Sequence, residues 1–471
     1  RYLLEVHMRY DGTSRFRRGN RWQLSPSFSA GWNIAQEKFF APATCVVDLL
    51  KLRFSYGQLG NQNTSSYYPT YRVMSLGAAN GSWIQNGMQP NTASVGNLIS
   101  EALTWETVRT WDIGLDWGSL NNRLTGSADF FVRYTKNMVG PANQMPNTLG
   151  IEVPNTNNCD LQTRGWEVSL SWKDRLNNGL NYGVTMSLSD QVTYIDSYPG
   201  NKTGSISTYM AGKKTGLIWG FETVGIAKTQ EEMDKHIASL PKGGQDAIGS
   251  QWAAGDIMYK DLNGDGKISK GASTWDDHGD LKILGDSNPH YFYGIDLTAN
   301  YKGVDFRCFL QGVLKHDFWP GSSSYFWGVR GGYSKWYTIG LEQHNDYFRD
   351  RPIGLAGYEL PVNLDSYYPR PITSPDSGGS SFGAKNQQIQ SRYMQNAGYM
   401  RLKNFQLGYS LPQSVVGELG ISNCRVFVSG ENLLTFTSLS SIFDPETCVG
   451  GWGGNAYPLS STWSFGLSLT F

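Results

Sequence analysis

Residues 261–269 read DLNGDGKIS. Asp261, Asn263 and Asp265 occupy alternate positions, Gly266 follows where the chain must turn, and the Lys267 carbonyl comes next. That is the order in which an EF-hand-like loop offers its positions 1, 3, 5 and 7 to a hard cation such as Ca2+, which gathers about six to eight oxygens. Positions 9 and 12 are Ser269 and Ala272, so the bidentate glutamate of such a loop is missing, and Asp276, Asp277 or Asp280 in TWDDHGD is left to supply it. One expectation is a bound cation that stiffens the loop; the other is a Gly/Asn/Asp turn that holds no metal.

A second segment, DFWPGSSSYFWGVRGGYSKWY, gathers Trp319, Phe326, Trp327, Tyr333, Trp336 and Tyr337 within nineteen residues. Aromatic rings supply large, rigid contact area with a polar tip. The segment suits stacking against sugars, contact with a protein lid, or packing on itself as an ordered cap. No catalytic set accompanies it. The histidines (His7, His236, His278, His290, His316, His344) are scattered, neither GxSxG nor HExxH occurs, and no enzyme activity is expected. The five cysteines show no CxxC spacing, and Cys308 falls in the apolar register of a strand, as a buried or lipid-facing thiol would.

The elements that carry these segments are strands. Residues 123–137 read RLTGSADFFVRYTKN, with Leu124, Gly126, Ala128, Phe130, Val132 and Tyr134 apolar or small and Thr125, Ser127, Asp129, Arg133 and Thr135 polar. Only Phe131 breaks the period of two, which places one greasy and one charged face on a strand. The same pattern returns along the chain, including Trp166 to Trp172, Leu180 to Leu188, Tyr293 to Tyr301, Val304 to Leu310 and Trp463 to Phe471, for about twelve strands. Short turns alternate with long connections at roughly 59–106, 137–162, 193–289, 315–397 and 433–460. Tyr399, Phe405, Leu407 and Tyr409 form a further face that Arg401 and Lys403 interrupt.

Charged residues make up 17% of the chain and aromatics 13%, with forty basic residues against forty acidic ones. That balance gives no bulk field for nucleic acid, and no nucleic-acid partner is expected. No apolar run approaches the roughly eighteen residues of a spanning helix. A soluble sandwich would also alternate, but its strands average about five or six residues. Long strands, aromatics at both ends of the apolar stripe, and short turns at one end with long loops at the other predict a transmembrane antiparallel β-barrel. Phe130 and Val132 then meet outer-membrane lipid, and Asp129 and Arg133 a polar lumen. The final STWSFGLSLTF ends on Phe471 as the C-terminal signal of outer-membrane proteins does, which predicts a periplasmic C-terminus and extracellular long loops.

Taken in order, RYDGTSRFRRGNRW, SPSFSAGW, LKLRFSYGQLGNQ, LTWETVRTWDIGLDWGSLNNRLTGSADFFVRYTKNM, TRGWEVSLSW, GDIMYKDLNGDGKIS, NPHYFYGIDLTANYKGVDFRCFLQGV, GYMRLKNFQLGYSLP, ISNCRVFVSGENLLTFT, FDPE and YPLSSTWSFGLSLTF resemble the SusC/RagA family of TonB-dependent outer-membrane transporters, from Arg1 to Phe471. The resemblance implies that residues 1–471 are the C-terminal part of a barrel of about 22 strands, with the plug and the TonB-contacting segment outside this stretch. It further implies an importer driven through the TonB complex, a SusD-like surface lipoprotein as lid, and oligosaccharide or oligopeptide substrates. A passive pore of about twelve strands, or a barrel-anchored adhesin, is the rival expectation.

Overall fold

The computed structural model describes residues 1–64, 66–78, 84–142, 148, 153–321, 323–327, 340–354, 356–372, 385–449 and 456–471. Twelve long strands form one antiparallel sheet in which each neighbours its predecessor in the chain. They are β1 Tyr2–Gly12, β2 Trp22–Asn33, β3 Val47–Asn61, β4 Glu106–Ser119, β5 Leu124–Pro141, β6 Asn155–Arg175, β7 Asn181–Ser197, β8 His290–Tyr301, β9 Val304–Lys315, β10 Tyr399–Ser410, β11 Asn423–Thr437 and β12 Thr462–Thr470. The chain divides into two compact units, residues 1–172 with 189–215 and residues 173–188 with 216–471. Among the described residues no helix is long and apolar enough to cross a membrane.

In the first unit the register sorts side chains into two faces. One cross-strand row runs Leu4, Ala30, Phe54, Ile113, Phe130, Trp166. The next row, on the opposite face, runs Leu3, Gly31, Arg53, Gly114, Asp129, Glu167. Arg53 ties the polar face together, donating to Asp116 at 2.9 Å and to Asp129 at 2.8 Å. On the apolar face Leu4 is 71% exposed, Ile113 53% and Phe130 51%. Full burial of a side chain of this kind is worth about 1.5–3 kcal/mol, so in water each would forgo a good part of that, and an exposed apolar stripe fits a membrane surface. Phe131, out of phase in sequence, lies on the polar face with its ring over Gly165, its cross-strand partner; a Cβ there would come within 2.4 Å of the ring.

The connection expected over 137–162 is shorter than the alternation suggests, because β5 continues to Pro141 and β6 begins at Asn155. Register shifts around Met138 break the alternation in these strand ends, Val139 packs on the buried Phe16, Leu103 and Trp105, and side chains add further ties: Asn157 Nδ2 donates to the carbonyls of Thr104 and Asn137, and the Val139 N–H to Glu106. Beyond the hydrocarbon layer a strand has no need of an apolar stripe, so its length leaves no signal of period two.

In the second unit the interrupted face of β10 resolves into a bulge. The β9 partners step from Phe309 to Leu310 while β10 steps from Asn404 to Leu402, so Lys403 is the extra residue. A bulge of this type shifts the alternation by one position. Leu402, Phe405 and Leu407 therefore line up with Leu310, Cys308 and Phe306 on the apolar face, and Arg401 pairs with Gln311 on the polar one.

The hydrophobic core sits in the connections rather than under the sheet. Fully buried Phe221, Tyr259, Ile268, Phe326 and Tyr393 all belong to the long segments between β7 and β8 and between β9 and β10. Helix α1, Gln230–Ala238, starts where the Thr229 hydroxyl accepts the Glu232 N–H, and buries Met233 against Ala227 and Met258. A Thr N-cap with Glu in the first turn stabilises such a start by about 1 kcal/mol.

Candidate functional site

The DLNGDGKIS turn folds on its own side chains. Asp261 accepts the N–H groups of Gly264 and Gly266, at 2.6 and 2.8 Å; Asn263 accepts that of Asp265, and Asp265 that of Lys267. Gly264 and Gly266 both have positive φ, +74° and +79°, which only glycine adopts freely. The backbone flanking Lys267 pairs with the 242–244 turn, through Lys242 N–H to Gly266 O and Ile268 N–H to Gly244 O.

Asp280 is the distant carboxylate that the turn brings in. One oxygen each of Asp261, Asp265 and Asp280 lie within 4.8 Å of one another. Asp280 is fully buried and accepts the Leu262, Asn263 and Ser269 N–H groups. Burial raises its pKa above the ordinary carboxyl value, against the pull of those three donors, and the neighbouring Asp261 charge raises it further. Asp277 instead closes the 272–277 turn by accepting the Ala272 N–H. Asp276 lies exposed beside it.

The aromatic segment is in large part a core. Phe326 is fully buried and stacks on Phe443 with ring centroids 6.2 Å apart; Trp327 packs edge-on to Tyr393 at 4.9 Å and donates its indole N–H to the Gly321 carbonyl. Phe326, expected from sequence as a contact with substrate or lid, is therefore removed from any outer surface. Trp319 is half-buried beside Trp327. Tyr333, Trp336 and Tyr337 lie outside the described residues.

Sequence reasoning treated 193–289 and 315–397 as separate loops; they interleave. Asp256 and Lys385, both fully buried, form an ion pair at 2.7 Å. The Asp256 carboxylate also accepts Arg370 through two nitrogens, Asn386 Nδ2 and the Ala253 N–H. Lys385 spends its other donors on the Ser250 and Gln251 carbonyls and lies 4.7 Å over the Trp252 ring. Tyr259 Oη donates to the Lys385 carbonyl at 2.6 Å, and the Phe221 N–H to Ile389 O. Burial works against ionisation of Asp256, but Arg370, Lys385 and Asn386 outweigh it and hold the carboxyl below its usual range. None of these four residues carries a spacing signal, because each partner comes from the other loop.

Beside this latch opens a cavity of about 450 Å³. Trp327, Tyr347 and Tyr368 form part of its wall, and Glu342, Asn345 and Gln387 bring polar ends to it. Its volume falls within the range of small-molecule sites, about 300–1,000 Å³. His344, also in the wall, accepts the Leu341 N–H at Nδ1 and so turns its Nε2 proton to the Tyr325 carbonyl, 2.8 Å away.

A two-faced antiparallel sheet, apolar outside and ion-paired inside, with its core in the connecting loops, is the wall of an outer-membrane β-barrel. Residues 1–433 match the family described as TonB dependent receptor-like, beta-barrel, and the chain belongs to that family of outer-membrane receptors and transporters. It is 27% identical over 494 residues to TonB-dependent receptor P3 of Formosa agariphila, an alignment covering all of this chain and 44% of that protein. To TonB-dependent receptor SusC of Bacteroides thetaiotaomicron it is 26% identical over 486 residues, covering all of this chain and 42% of SusC. The fold superposes on a chain of the RagAB peptide transporter with a TM-score of 0.73 at 21% identity, covering the whole of this chain and 46% of that one. The chain thus spans less than half the length of these relatives.

Proposed function

We propose that this chain is the C-terminal part of the barrel of an energised importer of oligomeric nutrients, oligosaccharides or oligopeptides. In this reading the long loops are extracellular, Phe471 is periplasmic, a SusD-like lipoprotein covers the loops, and the TonB complex drives uptake through a plug and contact segment outside residues 1–471. The observation that carries the reading is the family match along 1–433, on a sheet whose inner face is polar and ion-paired rather than packed. A protonophore is expected to abolish accumulation of labelled substrate by cells expressing the complete gene, and deletion of the region upstream of Arg1 to do the same. Uptake that survived both would mark a passive pore instead; surface binding with no uptake would mark an adhesin.

The proposal extends to a structural Ca2+ held by Asp261, Asp265 and Asp280, with the Asn263 side chain and the Lys267 carbonyl as further oxygens. Three carboxylates within 4.8 Å repel one another, and a divalent cation offsets that repulsion. At a concentration about 100-fold above Kd, binding would stabilise the loop by about 2.7 kcal/mol. A chelator is thus expected to raise protease cutting within 193–289 by up to about 100-fold, and Asp261→Ala with Asp265→Ala to do so in calcium as well. Equal cutting with and without chelator would sink the cation. The raised pKa of Asp280 adds a pH signature: its proton stabilises the fold at pH below that pKa, and the contribution is lost as pH rises through it. Acidification should therefore protect the chelated loop and leave the calcium-loaded one unprotected or weaker.

A further inference from the structure

We propose that the cavity beside the Asp256–Lys385 latch seats a neutral oligosaccharide rather than a peptide, an assignment that rests on the importer reading above. Two properties of its lining carry the choice. The first is which polar groups are still free. The side chains of Glu342, Asn345 and Gln387 have no hydrogen-bond partner among the described residues, although the Asn345 carbonyl accepts Arg349 at 2.5 Å, whereas the Asn386 side chain is already bound to Asp256 and to the Ile257 N–H. Planar carboxylate and amide groups each offer two adjacent hydrogen-bonding atoms, which match neighbouring hydroxyls on a sugar ring. The Tyr347 ring provides an apolar face beside them; Arg349 covers one side of it, 4.6 Å away. An amphipathic ring face against the C–H face of a sugar is the complementary contact.

The second property is what a peptide would need and does not find. An extended peptide is held mainly by a ladder of main-chain hydrogen bonds along an exposed strand edge. The wall segment Pro369–Arg370–Pro371 has an N–H at only one of its three positions, and that one is spent on the Gly255 carbonyl at 2.9 Å. The preceding N–H, of Tyr368, is spent on Asp346 O. A peptide carboxylate would seek a cation, but Arg370 is bound through two nitrogens to Asp256, and Glu342 would repel it. An uncharged, hydroxyl-rich ligand meets neither obstacle.

Glu342 and Asn345 are exposed, so Glu342→Gln, Asn345→Ala and Gln387→Ala are expected to leave folding intact, which heat-modifiable migration on a gel would check. The complete receptor would be purified in detergent and exposed to two probes: an array of neutral plant, algal and host oligosaccharides, and a tryptic peptide digest. The expected result is retention of one neutral glycan group, weakened at least tenfold by the Asn345→Ala and Gln387→Ala double variant, with no selective retention of peptides. Peptide retention that falls in the same variants overturns the assignment, and so does glycan retention that the variants leave unchanged. Protonophore-sensitive uptake in cells separates the two readings. Energised uptake indifferent to these variants discards the sugar seat and keeps the importer; glycan binding lost in the variants without energised uptake discards the importer and keeps the seat.

Discussion

Lys385→Met is expected to open the interleaved loops, raising amide exchange at Ile257 and Tyr259 by roughly two or more powers of ten. Methionine fills a similar volume but leaves Asp256, fully buried, short of one charge partner. Removing one member of a buried pair costs about 3–5 kcal/mol, because the remaining charge stays desolvated, and about 1.4 kcal/mol corresponds to a tenfold change in opening. Arg370 keeps its two bonds to Asp256, which places the expected cost toward the lower end. Asp256→Asn in the same background should recover part of the loss, since an amide tolerates burial better than an unpaired carboxylate. Unchanged exchange at those two amides would show that the latch contributes nothing. The pH dependence has the opposite sign to that of Asp280. The Asp256 pKa is lowered, so its contribution is complete above the unfolded carboxyl value of about 3.9 and is lost only as pH falls through the depressed folded one. Mild acid should leave the latch shut.

Arg401→Met is the second large effect, read out at a thiol. Arg401 is buried and donates to Glu446 at 2.6 Å, to Asp444 at 2.7 Å and to the Thr435 hydroxyl at 2.8 Å. Lys403, the bulged residue, adds both Glu446 oxygens at 3.0 and 2.9 Å. These two cations pin the FDPE turn that follows β11. Without Arg401, Asp444 keeps no cationic partner among the described residues, and a cost of about 3 kcal/mol follows. Cys448 lies four residues past Asp444, buried, with burial pushing its thiol up to about 11. In a Cys45→Ser background, which removes the exposed thiol, alkylation of Cys448 should speed up about 100-fold in Arg401→Met. A rate equal to the parent's would mean that the turn is held by its own hydrogen bonds and not by β10.

The wall of this protein was legible in sequence because its two solvents are so different. Leu124 to Tyr134 alternate with Phe131 as the one exception, and the register places that alternation on the two faces it predicts. Legibility ended where register shifts around Met138 break the alternation, which is why β5 and β6 run on into the long connection expected over 137–162. It also ended at Lys403, where one extra residue exchanges the faces of β10 and makes a regular strand read as a broken one. Of the chemistry-bearing residues, Asp261, Asn263 and Asp265 were visible because they act within one turn. Asp280 stood among three alternatives, and only the fold separates it from Asp276 and Asp277. Asp256, Arg370, Lys385 and Asn386 were invisible, since their meaning lies in a partner more than a hundred residues away. Phe326 misled in the other direction: an aromatic cluster in a loop reads the same whether it meets a partner or makes the loop's own core.

The separation of 129 residues between Asp256 and Lys385 also sets a condition on assembly, since the latch needs both long connections in place. Closing a long connection adds only slowly to the entropy cost, about (3/2)RT ln n, so the length of chain between the two residues is a small obstacle to their pairing. Strands β8 and β9 both lie between the two residues. A growing barrel can therefore have these strands paired while Asp256 still sits in water, ionised and without its ammonium. The segment that carries Tyr259 and Phe221 is packed by residues 385–390, and β10 follows directly behind them in the chain. Closure of the cap thus requires both long connections together, and a chain in which they stay apart leaves Phe221 and Tyr259 without the partners that bury them.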